Sequence, residues 1–387
     1  MMKIILDNIV FSLQKSGGIS VVWYELLSRL FRDHFLISCI HYDNQNIFST
    51  KLSYIEDKMI NKGILRNPFV RYLNLRLPNE KEQFIFHSSY YRTSSNPLAI
   101  NITTVHDFTY EYYNYGLSKW VHSLQKRRAI KRADYVICIS EATKKDLLHF
   151  IPEFDEKKIK VIYNGVSDDY YKISTLSLKK NELPFPIRSY ALFVGARDGY
   201  KNFSLAVKAI ASSQLNLVIV GAPLSNEEKS FLKEHFEDMT RVFCTGRIDN
   251  VQLNVFYNCA YVLLYPSKYE GFGIPVLEAQ KAGCPVIAYN ASSIPEIIGD
   301  DSLLIHELSV DEIHRCLKIL EDDIMRLQII NKGIINAQRF SWERMYDQVV
   351  ELYHKAWNEN RVYCLCLAHP DGCAGQYHRQ RILRSAV

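Results

Sequence analysis

Two glutamates with seven residues between them, Glu270 and Glu278, bracket a glycine turn in the stretch Glu-Gly-Phe-Gly-Ile-Pro-Val-Leu-Glu. Ionised carboxylates only accept hydrogen bonds, so one can take the hydroxyls of a sugar and the other those of a ribose. Gly271, Phe272 and Gly273 sit between an apolar run, Tyr261-Val-Leu-Leu-Tyr265, and a helix opened by Pro275. A proline fits a first helical turn because its missing N–H would have no intrahelical partner there. The main-chain amides at such a helix start face outward at a positive terminus, which is a ready site for phosphate. A second charged group lies upstream in Phe193-Val-Gly-Ala-Arg-Asp-Gly-Tyr-Lys-Asn-Phe203. Gly195 permits a tight turn, and Arg197 and Lys201 supply positive charge where a diphosphate would lie. A charge-assisted bond of that kind is worth about 1.5–3 kcal/mol, and more as a leaving group gains charge.

Other segments carry less specific signals. Gly221 ends the run Val-Ile-Val-Gly, and Gly246 with Arg247 ends Phe-Cys-Thr-Gly-Arg. Gly17 and Gly18, in Ser-Gly-Gly-Ile-Ser, can bring amides against a phosphate without side-chain obstruction. His106 closes Thr-Thr-Val-His-Asp, and a neutral imidazole there can donate one hydrogen bond and accept another. It is expected to bind and orient, not to act as a nucleophile.

The elements that must position these residues alternate between short β-rich runs and amphipathic helical patterns. Strands are expected at 4–6, 36–41, 84–87, 102–105, 135–139 and 160–163, and again at 190–194, 217–220, 242–245, 261–265, 285–289 and 303–305. Helical patterns include 21–31, 200–212 and 275–282. Such alternation implies parallel sheets with helices on both faces, and two series imply two Rossmann-like domains. Ligands of such sheets bind beyond the carboxyl ends of the strands. The stretch 170–188 lacks periodicity and ends with Pro184 and Pro186, so the boundary is expected there. The expected division is a first domain over 1–170, a second over 188–340, a helix over 341–358 with Ser341 as N-cap, and an atypical tail over 361–387.

The Glu270–Glu278 stretch resembles the signature of the large retaining glycosyltransferase family four, which has the α/β GT-B fold of two facing Rossmann-like domains with a cleft between them. The likeness extends through Lys201, Gly221, Gly246, Ser140-Glu141 and Tyr163-Asn-Gly-Val166, and covers about residues 1–358. Many members have Arg directly after the glycine, where this chain has Ala196, and Arg197 follows one residue later. The resemblance implies a retaining hexosyl transfer from a nucleotide-diphosphate sugar to a carbohydrate or lipid-linked glycan acceptor, in surface polysaccharide (O-antigen) biosynthesis, with a mannosyl donor as the guess. It implies that Glu270 grips the donor sugar and Glu278 the ribose. Lys201, Arg197 and the Gly271–Gly273 amides would hold the diphosphate, with Gly195, Gly246 and Arg247 at the nucleotide. On the first domain, Gly17 and Gly18 would reach across the cleft to the donor, His106 would contact the transferred sugar or the acceptor, and the last helix would cross back to that domain. No Asp-x-Asp motif occurs, and with cations and amides neutralising the phosphates no metal or other cofactor is expected.

The composition sets outer bounds. At 387 residues the chain fits two ordinary domains. Hydrophobic content of 48% with 23% charged residues marks a folded chain, and a net charge of +5 does not indicate nucleic acid. No apolar run approaches the roughly 18–20 residues that cross a bilayer, and Asp7 interrupts the first apolar stretch, so a cytoplasmic protein is expected. A basic run, Lys126–Arg132, lies on a helix that also carries Trp120, Val121 and Leu124, which suggests peripheral contact with an anionic membrane. Cys39, Cys138, Cys244, Cys259 and Cys284 read as reduced core residues, and Cys364, Cys366 and Cys373 near His369 and His378 have spacing too irregular for a zinc site. Two other readings stay open: a nucleotide-sugar epimerase of the same architecture, and a non-catalytic nucleotide-sugar or glycan-binding protein.

Overall fold

The structure is a computed structural model. It describes residues 2–52, 59–62, 71–77, 79–174 and 183–368, with the backbone alone at 59, 61, 118 and 361–368. The chain divides into two compact units, Met1–Tyr163 with Trp342–Val387, and Asn164–Ser341.

The first unit holds seven parallel strands: β1 (Lys3–Asp7), β2 (Leu36–His41), β3 (Met59–Asn61), β4 (Phe84–Ser88), β5 (Ala99–Val105), β6 (Tyr135–Cys138) and β7 (Ile159–Val161), in the order β3-β2-β1-β4-β5-β6-β7. Ile4 pairs with Ile37 of β2 and with Ile85 of β4, so β1 is central and its apolar residues are wholly buried. Parallel strands covered on both faces read as unbroken apolar runs, and this one does. The helix Gly18–Arg32 buries Trp23, Leu26, Leu27, Leu30 and Phe31, the 3.6-residue spacing of a single face. The last helix, Trp342–Ala368, runs past the expected residue 358. It is fastened to the first unit by Glu343, which accepts from Arg29 and Arg32, and by the Tyr353 hydroxyl, 2.7 Å from His87 Nδ1.

The second unit holds six parallel strands: β8 (Tyr190–Val194), β9 (Asn216–Val220), β10 (Val242–Gly246), β11 (Val262–Tyr265), β12 (Val286–Tyr289) and β13 (Leu304–Ile305), in the order β10-β9-β8-β11-β12-β13. In both sheets the order turns back at the first strand of the unit, beside β4 in one and β11 in the other. That reversal leaves a crevice at the carboxyl ends, where open α/β sheets bind ligands.

Residues 164–174 were expected with the first domain or in the linker, and they belong to the second unit. Three asparagines at four-residue intervals on the helix Asn250–Cys259 explain the difference. Asn254 accepts from the Tyr171 N–H, Asn258 accepts from the Ile173 N–H and donates back to the Tyr171 carbonyl, and Asn250 Oδ1 lies 3.1 Å from the Tyr170 hydroxyl. An aperiodic segment thus borrows its hydrogen bonds from one helix face.

Cys39, Cys138, Cys259, Cys284 and Cys316 are buried and unbridged, while Cys244 is only half-buried. The side chains of Cys364, Cys366 and Cys373, with His369 and His378, lie outside the described residues. Among the described residues no helix is long and apolar enough to cross a membrane, and no three metal-ligating side chains converge.

Candidate donor site

The second unit brings Lys201 and Glu270 together. Lys201 follows β8 in a 3-10 turn, Gly199–Lys201, which Asn202 ends with a left-handed backbone (φ +52°). Asn202 Nδ2 donates to the Pro266 carbonyl at 2.7 Å, tying this turn to the loop after β11. Glu270 comes from that loop, so the pair straddles the crevice between neighbouring strands β8 and β11. Lys201 Nζ lies 2.6 and 2.7 Å from the two carboxylate oxygens of Glu270. It also sits over the rings of Tyr200 and Tyr265, at 5.0 and 5.8 Å. The Tyr265 hydroxyl donates to Glu270 as well, and burial holds that phenol well above its ordinary range.

The loop carrying Glu270 is pinned from one side. Ser292 accepts from the Glu270 N–H at 2.7 Å and donates to the Glu270 carbonyl at 2.8 Å, and Ser293 donates to the Phe272 carbonyl at 2.8 Å. Gly273 has φ +107°, and a Cβ there would come within 2.9 Å of Ile294 Cδ1. Gly273 caps the helix Ile274–Lys281, with Pro275 in its first turn. The first amides of a helix lack intrahelical acceptors, so the loop ends on a positive pole. Phe272 is a core residue, edge-on to Phe340 at 5.8 Å, so only its main chain can serve a ligand.

Gly195 (φ +115°) and Gly221 (φ +153°) end β8 and β9. A Cβ on Gly221 would lie 2.7 Å from the Gly195 carbonyl oxygen, so the two loops nest only without side chains. Arg197 is less open than expected. Its Nε and Nη2 bind Glu228 at 2.5 and 3.1 Å, and Nη2 also donates to the Pro223 carbonyl. Among the described residues Nη1, buried and without a hydrogen-bond partner, is the guanidinium nitrogen left for an anion. Gly246 (φ +72°) accepts at its carbonyl from the Gly221 N–H, and Arg247 beyond it is exposed, with no contact to the Lys201–Glu270 pair among the described residues.

Glu278 departs from the expected fully ionised acceptor. It is half-buried under the hydroxyls of Tyr257, 3.0 Å away, and Tyr170. Loss of hydration outweighs those donors and pushes its carboxyl up to about 7, so both protonation states are populated at neutral pH. Tyr170, Tyr257, Tyr265, Ser292 and Ser293 escaped the sequence reading. The motif Tyr265-Pro-Ser-Lys-Tyr-Glu hinted at Tyr265, whereas the others come from distant segments with no local mark.

The first unit places Gly17 and Gly18 at the start of the helix Gly18–Arg32, and His106 directly after β5. Gly17 is extended rather than left-handed (φ 165°), and a Cβ there would meet only the mobile end of Gln14. Burial drives His106 down to about 4, partly offset by Asp107, and Lys126 adds to the drop, so the imidazole is neutral at physiological pH. The main-chain N–H at His106 donates to the buried Tyr91 hydroxyl oxygen. Lys126, expected as part of a surface basic run, is instead buried, bonding Glu111 at 2.7 Å and the Asp107 carbonyl at 2.8 Å. At the crevice of this sheet a buried Asp7, its acid pushed up by burial, faces Arg92 and accepts from Ser88.

Comparison with known proteins agrees with this architecture. Residues 177–335 match the family described as Glycosyl transferases group 1, and residues 16–170 match Glycosyltransferase Family 4. The chain belongs to these glycosyltransferases and has their α/β GT-B fold. Among individual proteins it is 27% identical over 267 residues to O-antigen chain mannosyltransferase B of Escherichia coli, covering 65% of this chain and 69% of the relative. It is 30% identical to the O-antigen chain mannosyltransferase RfbU of Salmonella typhimurium, covering 54% of this chain and 58% of that one. The crystal structure of Anabaena Alr3699/HepE in complex with UDP and glucose shares its fold, with a TM-score of 0.69 at 18% identity over 92% of this chain and all of the other.

Proposed function

We propose that this glycosyltransferase moves a hexosyl group, a mannosyl group in the first instance, from a nucleotide-diphosphate sugar to a carbohydrate or lipid-linked glycan, with retention of anomeric configuration, in surface polysaccharide assembly. The observation that carries the reading is the Lys201–Glu270 pair, set at the crevice of the second sheet against the positive end of a helix. A cation, helix amides and a carboxylate within one small volume suit a ligand that is anionic at one end and rich in hydroxyls at the other. The names of the O-antigen relatives support the mannosyl donor and the polysaccharide acceptor.

In this reading Lys201, Arg197 Nη1 and the amides at Gly271–Gly273 take the diphosphate. Glu270 takes the hydroxyls of the transferred sugar, Glu278 those of the ribose, and the main chain at Gly195, Gly246 and Arg247 flanks the nucleotide. The bond from the anomeric carbon to the phosphate oxygen breaks, and one to the acceptor oxygen forms on the same face. The acceptor's proton passes to the departing phosphate, whose charge Lys201 stabilises most as it develops. No metal is called for. Gly17 and Gly18 are kept as substrate-binding groups, and the neutral His106 as a group that binds and orients the sugar or the acceptor. The protein is placed at the inner face of the cell membrane, in peripheral contact with anionic lipid.

A screen of nucleotide sugars by thermal shift, followed by linkage analysis of the product, tests the reading. A stabilising donor whose sugar appears on an acceptor in the original anomeric form supports it. Conversion of the donor without any acceptor favours the epimerase, and binding without turnover favours a non-catalytic protein.

A further inference from the structure

The helix Gly116–Arg132 is inside out along its first half. Leu117, Trp120, Val121 and Leu124 follow the i, i+3, i+4, i+7 spacing of one helical face. That face is in solvent: Leu117 is 85% exposed, Trp120 73%, and Tyr115 just ahead of the helix 82%. The face turned to the core is polar, with His122, Gln125 and Lys126 all buried. Burial of apolar surface drives folding, so the reverse arrangement is the ordinary one. The orientation is nevertheless firmly held. His122 stacks on Tyr110 at 3.8 Å and bonds the Tyr90 hydroxyl at 2.8 Å. Gln125 donates to the carbonyls of Arg71 and Tyr91, and Lys126 is paired with Glu111. A contiguous apolar stripe kept outward in this way marks contact with an apolar partner.

Charge identifies the partner. The helix contains no acidic residue, and its exposed face continues past the stripe as Arg127, Arg128 and Lys131. Arg127 and Lys131 share one carboxylate, Glu153, at 2.8 Å each, so positive charge is left over. Pairing this face with a second copy would set two acid-free basic helices side by side. A surface that is anionic outside and apolar beneath satisfies both halves of the pattern.

We infer that this face docks on an anionic bilayer: the stripe from Tyr115 to Leu124 enters the boundary between headgroups and acyl chains, and Arg127, Arg128 and Lys131 lie among the headgroups. The assignment rests on the peripheral lipid contact proposed above and names the residues that make it.

Flotation of the full chain with vesicles of phosphatidylcholine, alone or mixed with phosphatidylglycerol, tests it. The wild type is expected to float with the mixed vesicles and less with the neutral ones, and Trp emission to shift to the blue. The variant Leu117→Ser/Trp120→Ser/Leu124→Ser should lose at least about tenfold in partitioning and the blue shift with it. Arg128→Glu/Lys131→Glu should lose the preference for phosphatidylglycerol. Both variants should melt as the wild type does, because every altered side chain is exposed. If the wild type floats and the serine variant floats equally well, the assignment to this face is wrong and the peripheral reading survives. If the wild type floats with neither vesicle, both fall. If the serine variant instead breaks up a dimer in light scattering and leaves flotation unchanged, a second copy covers the face and the inference is overturned.

Discussion

Lys201→Ala is the sharpest test of the donor site, because its effect has two parts of the same sign. In the free chain Nζ bonds both oxygens of Glu270, at 2.6 and 2.7 Å. With donor bound, that charge is available to the diphosphate, and its loss forfeits about 1.5–3 kcal/mol of charge-assisted bonding. The loss also leaves the Glu270 carboxylate facing a dianion without a screen. Two unit charges about 5 Å apart repel by about 3 kcal/mol at an effective dielectric near 20, and less where water reaches them. The first contribution with a fraction of the second gives about 3 kcal/mol, or about 10²-fold in kcat/KM. The signs then diverge for the partner. Glu270→Gln frees Lys201 for phosphate, so nucleoside diphosphate should bind as well as to wild type or better, while transfer falls by about 10²-fold for want of the sugar contact. Adding Glu270→Gln to Lys201→Ala should restore part of the lost nucleotide affinity. Calorimetry with the nucleoside diphosphate and initial rates of transfer measure both. If Lys201→Ala binds and turns over within about threefold of wild type, or Glu270→Gln fails to relieve it, the pair is not the donor site.

Three further outcomes follow from the same coordinates. Glu278 must be ionised to accept two ribose hydroxyls, so nucleotide affinity should rise as pH climbs through about 7, and Glu278→Gln should flatten that profile. Because its acid is raised in the folded chain, its contribution to stability is fully present below the unfolded value and lost as pH rises through about 7; Glu278→Gln should therefore narrow the difference in Tm between acidic and mildly alkaline buffer. Gly221→Ala drives a Cβ against the Gly195 carbonyl oxygen at a positive φ, which should cost about 2 kcal/mol or more in a melt and weaken nucleotide binding. Asn258→Ala removes the acceptor of the Ile173 N–H and the donor to the Tyr171 carbonyl, and should cost about 1–3 kcal/mol in denaturant unfolding without altering turnover by more than a few fold.

Much of the architecture was legible in the chain. Strands covered on both faces need uninterrupted apolar runs, so β1, β8 and β11 stand out in sequence. Met59–Asn61 did not, because three residues at a sheet edge carry no period. The end of the last helix was also misplaced, since residues 359–368 continue its backbone without a distinct apolar face to announce them. In the site, Lys201 and Glu270 could be found because each follows a strand end with a glycine nearby. Arg197's tie to Glu228 could not, because a capping glutamate on another helix is unremarkable in one dimension.

The sequence alone determined the two α/β series, the turn residues at their carboxyl ends and the helix start at Pro275, because strand period, glycine freedom and proline geometry act over a few neighbouring residues. Tertiary structure alone decided that Lys201 grips Glu270, that burial lifts the proton affinity of Glu278 against the hydrogen bonds of Tyr257 and Tyr170, and that Lys126 turns inward while Trp120 turns out. Those outcomes depend on which distant segments exclude water from a given side chain. Burial and electrostatic partnership are properties of the packed chain, and no local pattern records them.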